Sequence, residues 1–158
     1  METCTLLLES PIGPLTLRSD GAAVTALLFG ARGETSPLPC PVLNRAALEL
    51  AEYFAGKRRR FTIPLSPAGT DFQRRVWAAL KSIPYGETIT YGALAARIGN
   101  PRACRAVGMA NNRNPIPIFI PCHRVVGADG SLTGYAGGLD AKRLLLELEG
   151  AGWRSQNY

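Results

Sequence analysis

The chain has 158 residues, enough for one or two small domains with a hydrophobic core, and its 46% hydrophobic content is that of an ordinary globular protein. No apolar run approaches the ~20 residues of a membrane span, and Met1–Glu9 has neither a basic leader nor an apolar stretch of signal-peptide length, so a cytoplasmic protein is expected. The net charge is +6, and five arginines (97, 102, 105, 113 and 124) with no acidic residue lie between Thr88 and Ala128; the segment suits phosphate, with a solvated basic face as the alternative.

The first third reads as strands. Thr3–Glu9, Gly13–Arg18 and Ala23–Phe29 are short and rich in Leu, Thr and Val, with turn chemistry in Pro11-Ile12-Gly13-Pro14 and Ser19-Asp20-Gly21. Gly30–Pro41 is a proline-rich loop. In Val42–Phe54, Leu43, Ala47, Leu50 and Phe54 recur at helical spacing, with Gly56 as the stop. Lys57-Arg58-Arg59-Arg60 leads into a further strand candidate, Phe61-Thr62-Ile63, and reads as a solvated turn and strand edge. Pro64–Gly69 marks a boundary. The expected fold class is a small α/β N-terminal domain over residues 1–66, an antiparallel sheet plus a helix. A mostly helical C-terminal domain with a helix-turn-helix follows over residues 67–158.

Thr70 or Asp71 caps a helix that runs to about Ser82, with Phe72, Val76, Trp77 and Leu80 on its apolar stripe. Thr88 or Thr90 caps a short helix, Tyr91–Ile98. Gly99-Asn100 is a turn, and Pro101 opens another helix that runs to about Ala110. Two short helices about a tight glycine turn form a helix-turn-helix pattern. Asn111–Pro115 reads as a loop and Ile116–Pro121 as a stiff, extended apolar approach to Cys122. Gly134–Gly138 is a flexible loop. Asp140–Glu149 is the last helix, with Leu144, Leu145 and Leu148 inward and Gly150 ending it.

The four cysteines (4, 40, 104 and 122) show no paired spacing, so free thiols are expected. No C-x₂₋₄-C pair seeds a zinc site, so no metal is expected. Cys122 stands beside His123, the only histidine, in Ile120-Pro121-Cys122-His123-Arg124-Val125-Val126. A thiol next to a base is a candidate nucleophile whose thiolate is populated near neutral pH; a buried core cysteine on a strand is the alternative. Glu149 faces the negative end of its helix dipole, at a cost of about 0.3–1 kcal/mol, and so calls for a cationic or N–H partner. Cys122, His123 and Glu149 fit the roles of nucleophile, base and orienter. Asn114 could supply a fourth polar group.

Asn114-Pro115-Ile116-Pro117-Ile118-Phe119-Ile120-Pro121-Cys122-His123-Arg124-Val125-Val126, Gly134-Tyr135-Ala136-Gly137-Gly138 and Leu145–Gly150 closely resemble the O6-alkylguanine-DNA alkyltransferases, the methylated-DNA–protein-cysteine methyltransferases. The resemblance extends upstream through Pro84–Thr88 and Tyr91–Ala95 and covers nearly all of Thr70–Gly150. The first 65 residues match in outline only.

The resemblance implies irreversible, stoichiometric transfer of an alkyl group from O6-alkylguanine, and less well from O4-alkylthymine, to Cys122. It implies no cofactor and no metal, and a monomer bound to duplex DNA through the minor groove with no membrane partner. His123 would take the thiol proton through a water, with Glu149 behind it and Asn114 supporting the loop. Arg105 would enter the duplex and fill the space of a flipped nucleotide. Tyr91 would help rotate the target phosphate and donate toward the base. DNA contacts are expected from Tyr91, Arg102, Ala103, Cys104, Arg105, Ala106, Gly108 and Arg124, the small residues allowing close approach. The substrate pocket is expected from Tyr91, Val125, Tyr135, Ala136 and Gly137. Cys104 departs from the small residue usual at its position. Two rivals differ in class. An alkylguanine-binding module without transfer would lack the acceptor cysteine, and a cysteine hydrolase would usually place its base far from the nucleophile.

Overall fold

The structure, a computed structural model, describes residues 3–152. The chain forms two compact units, one of Met1–Ala68 with Pro115–Pro117 and one of Gly69–Asn114 with Ile118–Tyr158.

In the first unit, β1 (Cys4–Leu8), β2 (Leu15–Ser19) and β3 (Val24–Phe29) form an antiparallel sheet in that order. Leu6 pairs with Leu17 and Leu17 with Leu27, which sets three leucines side by side on one face. Helix α1 (Pro41–Phe54) packs across the sheet through buried Leu43, Ala46, Leu50 and Tyr53. Its inward face is thus rotated from the expected one, and Ala47 and Phe54 are only half-buried.

The rotation also buries Glu49. Its carboxylate accepts from the backbone N–H groups of Thr62 (2.9 Å) and Ile63 (3.3 Å), with Arg58 3.7 Å away. This corrects the strand expected at Phe61–Ile63, because the donors a ladder needs are taken by a side chain. Pairing with Val24 comes instead at Leu65. The basic run is likewise not wholly solvated, since Arg58 is paired with Glu52 at 3.0 Å as well as with Glu49.

In the second unit, α2 (Asp71–Lys81) starts with a capping box. Thr70 accepts from Gln73 N, and the Gln73 side chain accepts from Thr70 N. Val76, Trp77 and Leu80 are buried. A side chain at Gly69 would collide with the Trp77 ring, so this position requires glycine for close packing. A two-residue strand β4 (Ile89–Thr90) precedes α3 (Tyr91–Arg97), whose N-cap Thr90 accepts from Ala93 N at 3.1 Å.

Helix α4 is Cys104–Asn112, not a helix from Pro101. Ala103 N donates to Asn100 O (3.0 Å), closing a turn in which Pro101 takes the second position, where its fixed φ fits. The helix also runs on past Ala110, so Asn111 and Asn112 are helical rather than loop. The Trp77 indole donates to Ala110 O at 2.9 Å and ties α2 to α4.

Ile116–Pro121 is buried but not extended. Ile118 has φ +74°, a strained value for a β-branched residue, and Cys122 N turns back onto Ile120 O at 2.8 Å. A single 3₁₀ turn, Cys122–Arg124, leads into β5 (Val125–Val126), which pairs in parallel with β4. Helix α5 (Leu139–Leu148) ends at Glu149 and buries Ala141, Lys142, Leu145 and Leu146, leaving Leu144 and Leu148 half-buried. Among the described residues no helix is long and apolar enough to cross a membrane.

Candidate active site

Cys122 is the first residue of the 3₁₀ turn and is 5% exposed. Cys122 and His123 are therefore not neighbours in an extended segment. Their side chains diverge because successive 3₁₀ residues are about 120° apart. His123 is completely buried, and its Nε2 donates to Glu149 Oε2 at 2.8 Å. That bond places the ring proton on Nε2 and leaves Nδ1 as the acceptor. Nδ1 is buried and meets no hydrogen-bond partner among the described residues.

Glu149 is the C-cap of α5, and its unfavourable position is compensated twice over. Arg124 grips it with a fork, Nε to Oε1 at 2.8 Å and Nη2 to Oε2 at 3.0 Å, and donates from Nη1 to Ile83 O at 2.6 Å. The guanidinium also lies 5.8 Å from the centre of the Tyr85 ring. This corrects the expectation that Arg124 contacts DNA, because the whole guanidinium is engaged inside the protein. Gly86, at φ +83°, lets the chain pass close to Glu149, where a Cβ would come within 3.2 Å of the Glu149 carbonyl.

Burial alone would raise the Glu149 carboxyl. The hydrogen bonds from His123 and Arg124 outweigh it and hold the group down at about 2. Burial lowers His123 although Glu149 pulls it upward, so the ring is neutral at pH 7. Burial pushes the Cys122 thiol up to about 11, against the hydrogen bond of Asn114 and the charge of Lys142. Burial thus favours the thiol form of Cys122, against the thiolate expected near neutral pH.

Asn114 follows the loop after α4, and its Nδ2 donates to Ile120 O at 2.8 Å, bracing the turn before Cys122. Tyr91, at the start of α3, is half-buried with its hydroxyl 2.7 Å from Thr133 Oγ1. Burial holds its phenol above the ordinary value, so it remains an O–H donor at neutral pH. The structure thus gathers Cys122, His123, Glu149, Asn114 and Tyr91 from four places in the sequence.

Arg102, Cys104, Arg105 and Ala106 are exposed on the turn and first half of α4, and Ala103 and Gly108 are half-buried. The Tyr91 ring lies against Gly108, within ordinary contact of where a Cβ would stand. Ala136 is exposed, and Tyr135 and Gly137 are half-buried in the loop before α5. Val125 is fully buried in β5 and offers no open surface, unlike a residue lining an accessible pocket. Lys142 and Thr133 escaped the sequence reading. The available signal was the seven-residue spacing of Lys142 and Glu149, which puts both on one face of α5. All four cysteines are free, as expected.

The model of the 6-O-methylguanine DNA methyltransferase DNA-binding domain matches residues 71–151, and that of the same family's ribonuclease-like domain matches residues 4–67. A methylated-DNA–protein-cysteine methyltransferase of Methanosarcina acetivorans is 51% identical over 151 residues, covering 92% of this chain and 97% of its own. One of Bacillus subtilis, described as constitutive, is 44% identical over 151 residues, covering 89% and 92%. The crystal structure of Mycobacterium tuberculosis O6-methylguanine methyltransferase superposes with a TM-score of 0.85 at 49% identity, covering 94% of this chain and 93% of that one. A structure of the M. tuberculosis protein in complex with DNA gives 0.84 at 52% identity, covering 91% of each. The small antiparallel sheet with its helix and the helical second unit follow the same two-part fold, and the chain belongs to the 6-O-methylguanine DNA methyltransferase family.

Proposed function

We propose that this protein repairs DNA by moving an alkyl group from guanine O6, and less readily from thymine O4, onto Cys122. The observation that carries the reading is the buried turn in which Cys122 stands beside a neutral His123 whose Nε2 is held by Glu149. His123 Nδ1 then accepts the thiol proton, through a water, as sulfur attacks the alkyl carbon. The C–O bond breaks, and the electron pair remains on the guanine. Glu149 supports the imidazolium as it forms. A thioether is not hydrolysed by water, so each molecule acts once and needs no cofactor.

A base inside a duplex cannot reach a buried thiol, so the target must be flipped out at a cost of a few kcal/mol. Arg105, exposed on α4, fills the vacated stack, while Arg102, Ala103, Cys104, Ala106 and Gly108 lie along the minor groove. Tyr91 donates toward the flipped base, and Tyr135–Gly137 close over it. The chemistry and the DNA contacts belong to residues 67–158, and the protein works as a monomer in the cytoplasm. The test is the intact mass after incubation with duplex DNA carrying O6-methylguanine. One added methylene, mapped to Cys122, is the expected result; an unchanged mass, or a label elsewhere, refutes it.

A further inference from the structure

Asn111 is 2% exposed on α4, and no step described above uses it. It stands three residues after Gly108, so the two share one face of the helix. Tyr91, from the start of α3, lies on that face: its ring comes 3.7 and 3.8 Å from where a Gly108 Cβ would stand. One turn along, the Asn111 amide hydrogen-bonds the Tyr91 hydroxyl. The bond acts on the phenol as a donated N–H does, drawing it down against the larger upward effect of burial. Asn111 Oδ1 is buried and has no hydrogen-bond partner among the described residues. An apolar side chain of the same branched shape would leave no unpaired acceptor, so packing does not account for an amide here. Tyr91 Oη also lies 2.7 Å from Thr133 Oγ1. We propose that Asn111 is a positioning residue for Tyr91. Its amide N–H takes one lone pair of Oη, so that the phenol aims its own proton away from α4, at Thr133 in the free protein and at the flipped base during transfer.

The inference rests on Tyr91 donating toward the flipped base. A hydroxyl pair such as Tyr91 and Thr133 can point either way, because each oxygen both donates and accepts. An amide N–H can only donate, and it settles the direction. It also polarises the phenol, which makes the Tyr91 O–H a stronger donor. That strength matters during the reaction. The S–C bond forms as the C–O bond breaks, the electron pair passes to the guanine, and the thiol proton goes to His123. Tyr91 and Asn111 keep their protons and stabilise the charge that gathers on the base.

The test is a double-mutant cycle on stoichiometric methyl transfer from an O6-methylguanine duplex, with Asn111→Leu, Tyr91→Phe and the two combined. At saturating duplex, Asn111→Leu should slow transfer roughly three- to tenfold, the size of one hydrogen bond, with duplex affinity unchanged. In the Tyr91→Phe background the same change should have no further effect, because no hydroxyl remains to be aimed. An equal slowing in both backgrounds would mean that Asn111 merely packs α4, and faster transfer by Asn111→Leu would mean that the amide accepts the Tyr91 proton; either result overturns the proposal. Asn111→Ala carries the same comparison if the leucine does not fit, and loss of fold in both variants also overturns it. The Tyr91→Phe protein separates the two failures. A wild-type rate there refutes Tyr91 as donor and the proposal with it, whereas slowed transfer with an additive cycle refutes only the role of Asn111.

Discussion

At Glu149 the local rule and the observed environment collide. A carboxylate at a helix C-terminus opposes the dipole, and a buried carboxylate opposes desolvation. Both penalties are met by one fork from Arg124 and one imidazole N–H. The carboxylate does not create a resting thiolate, because Cys122 stays protonated with burial as the first cause. Ionisation is then coupled to attack. Cys122→Ser is expected to abolish transfer while leaving DNA binding nearly intact, since serine is close in shape but far less nucleophilic at neutral pH. Intact mass and a DNA-binding isotherm read the two effects, and any stoichiometric transfer by the serine protein would remove Cys122 as acceptor.

Among the elements, α2 and α4 make separable predictions. The α2 capping box satisfies two N–H groups, and Thr70→Ala should cost about 1 kcal/mol, a fall of roughly 2–4 °C in Tm by calorimetry, with transfer otherwise unchanged. The first turn of α4 carries exposed Arg105 and is small elsewhere. Arg105→Ala should slow repair of duplex DNA far more than reaction with free O6-benzylguanine, because only the duplex has a stack to open. Equal losses on both substrates would make Arg105 a phosphate contact. The turn between α3 and α4 was readable from Gly99-Asn100-Pro101, since glycine takes the positive φ a turn needs (+82° at Gly99), asparagine tolerates left-handed backbone and proline fixes its own φ. Its end was not, because Pro101 suits both a helix start and a turn. The bond from Ala103 N to Asn100 O selects the turn.

For the whole molecule, the buried Glu149–Arg124–His123 cluster makes stability depend on acid. Glu149 sits at about 2 in the folded protein against an ordinary 4.5, a difference corresponding to about 3 kcal/mol. Because the folded value is depressed, that stability is fully present above about pH 4.5 and is lost as the pH falls toward 2. Glu149→Gln should therefore lower stability at pH 7 by about 3 kcal/mol, since it leaves the Arg124 charge buried without its anion. It should also flatten the acid limb of a denaturation-against-pH curve. Dipole reasoning alone would predict little change or a slight gain from this substitution. An unchanged acid limb in the glutamine protein would mean that other carboxylates govern acid unfolding.

Short-range chemistry determined what could be read along the chain. The three strands and their turns, the Thr70 and Thr90 caps and the Cys122-His123 adjacency each depend on residues a few positions apart. The helix-turn-helix, the acid-free arginine segment and the family motif around Cys122 were legible on the same terms. Contacts far apart in sequence decided the rest. Phe61–Ile63 is not a strand because Glu49 takes its N–H groups, Arg124 turns inward because Glu149 waits there, and α5 buries Lys142 where leucines alone were expected. Periodicity tells that a helix has an inner face. Whether a cation on that face meets solvent, a carboxylate or a thiol is set by the desolvation and pairing energies of groups that only tertiary packing brings together.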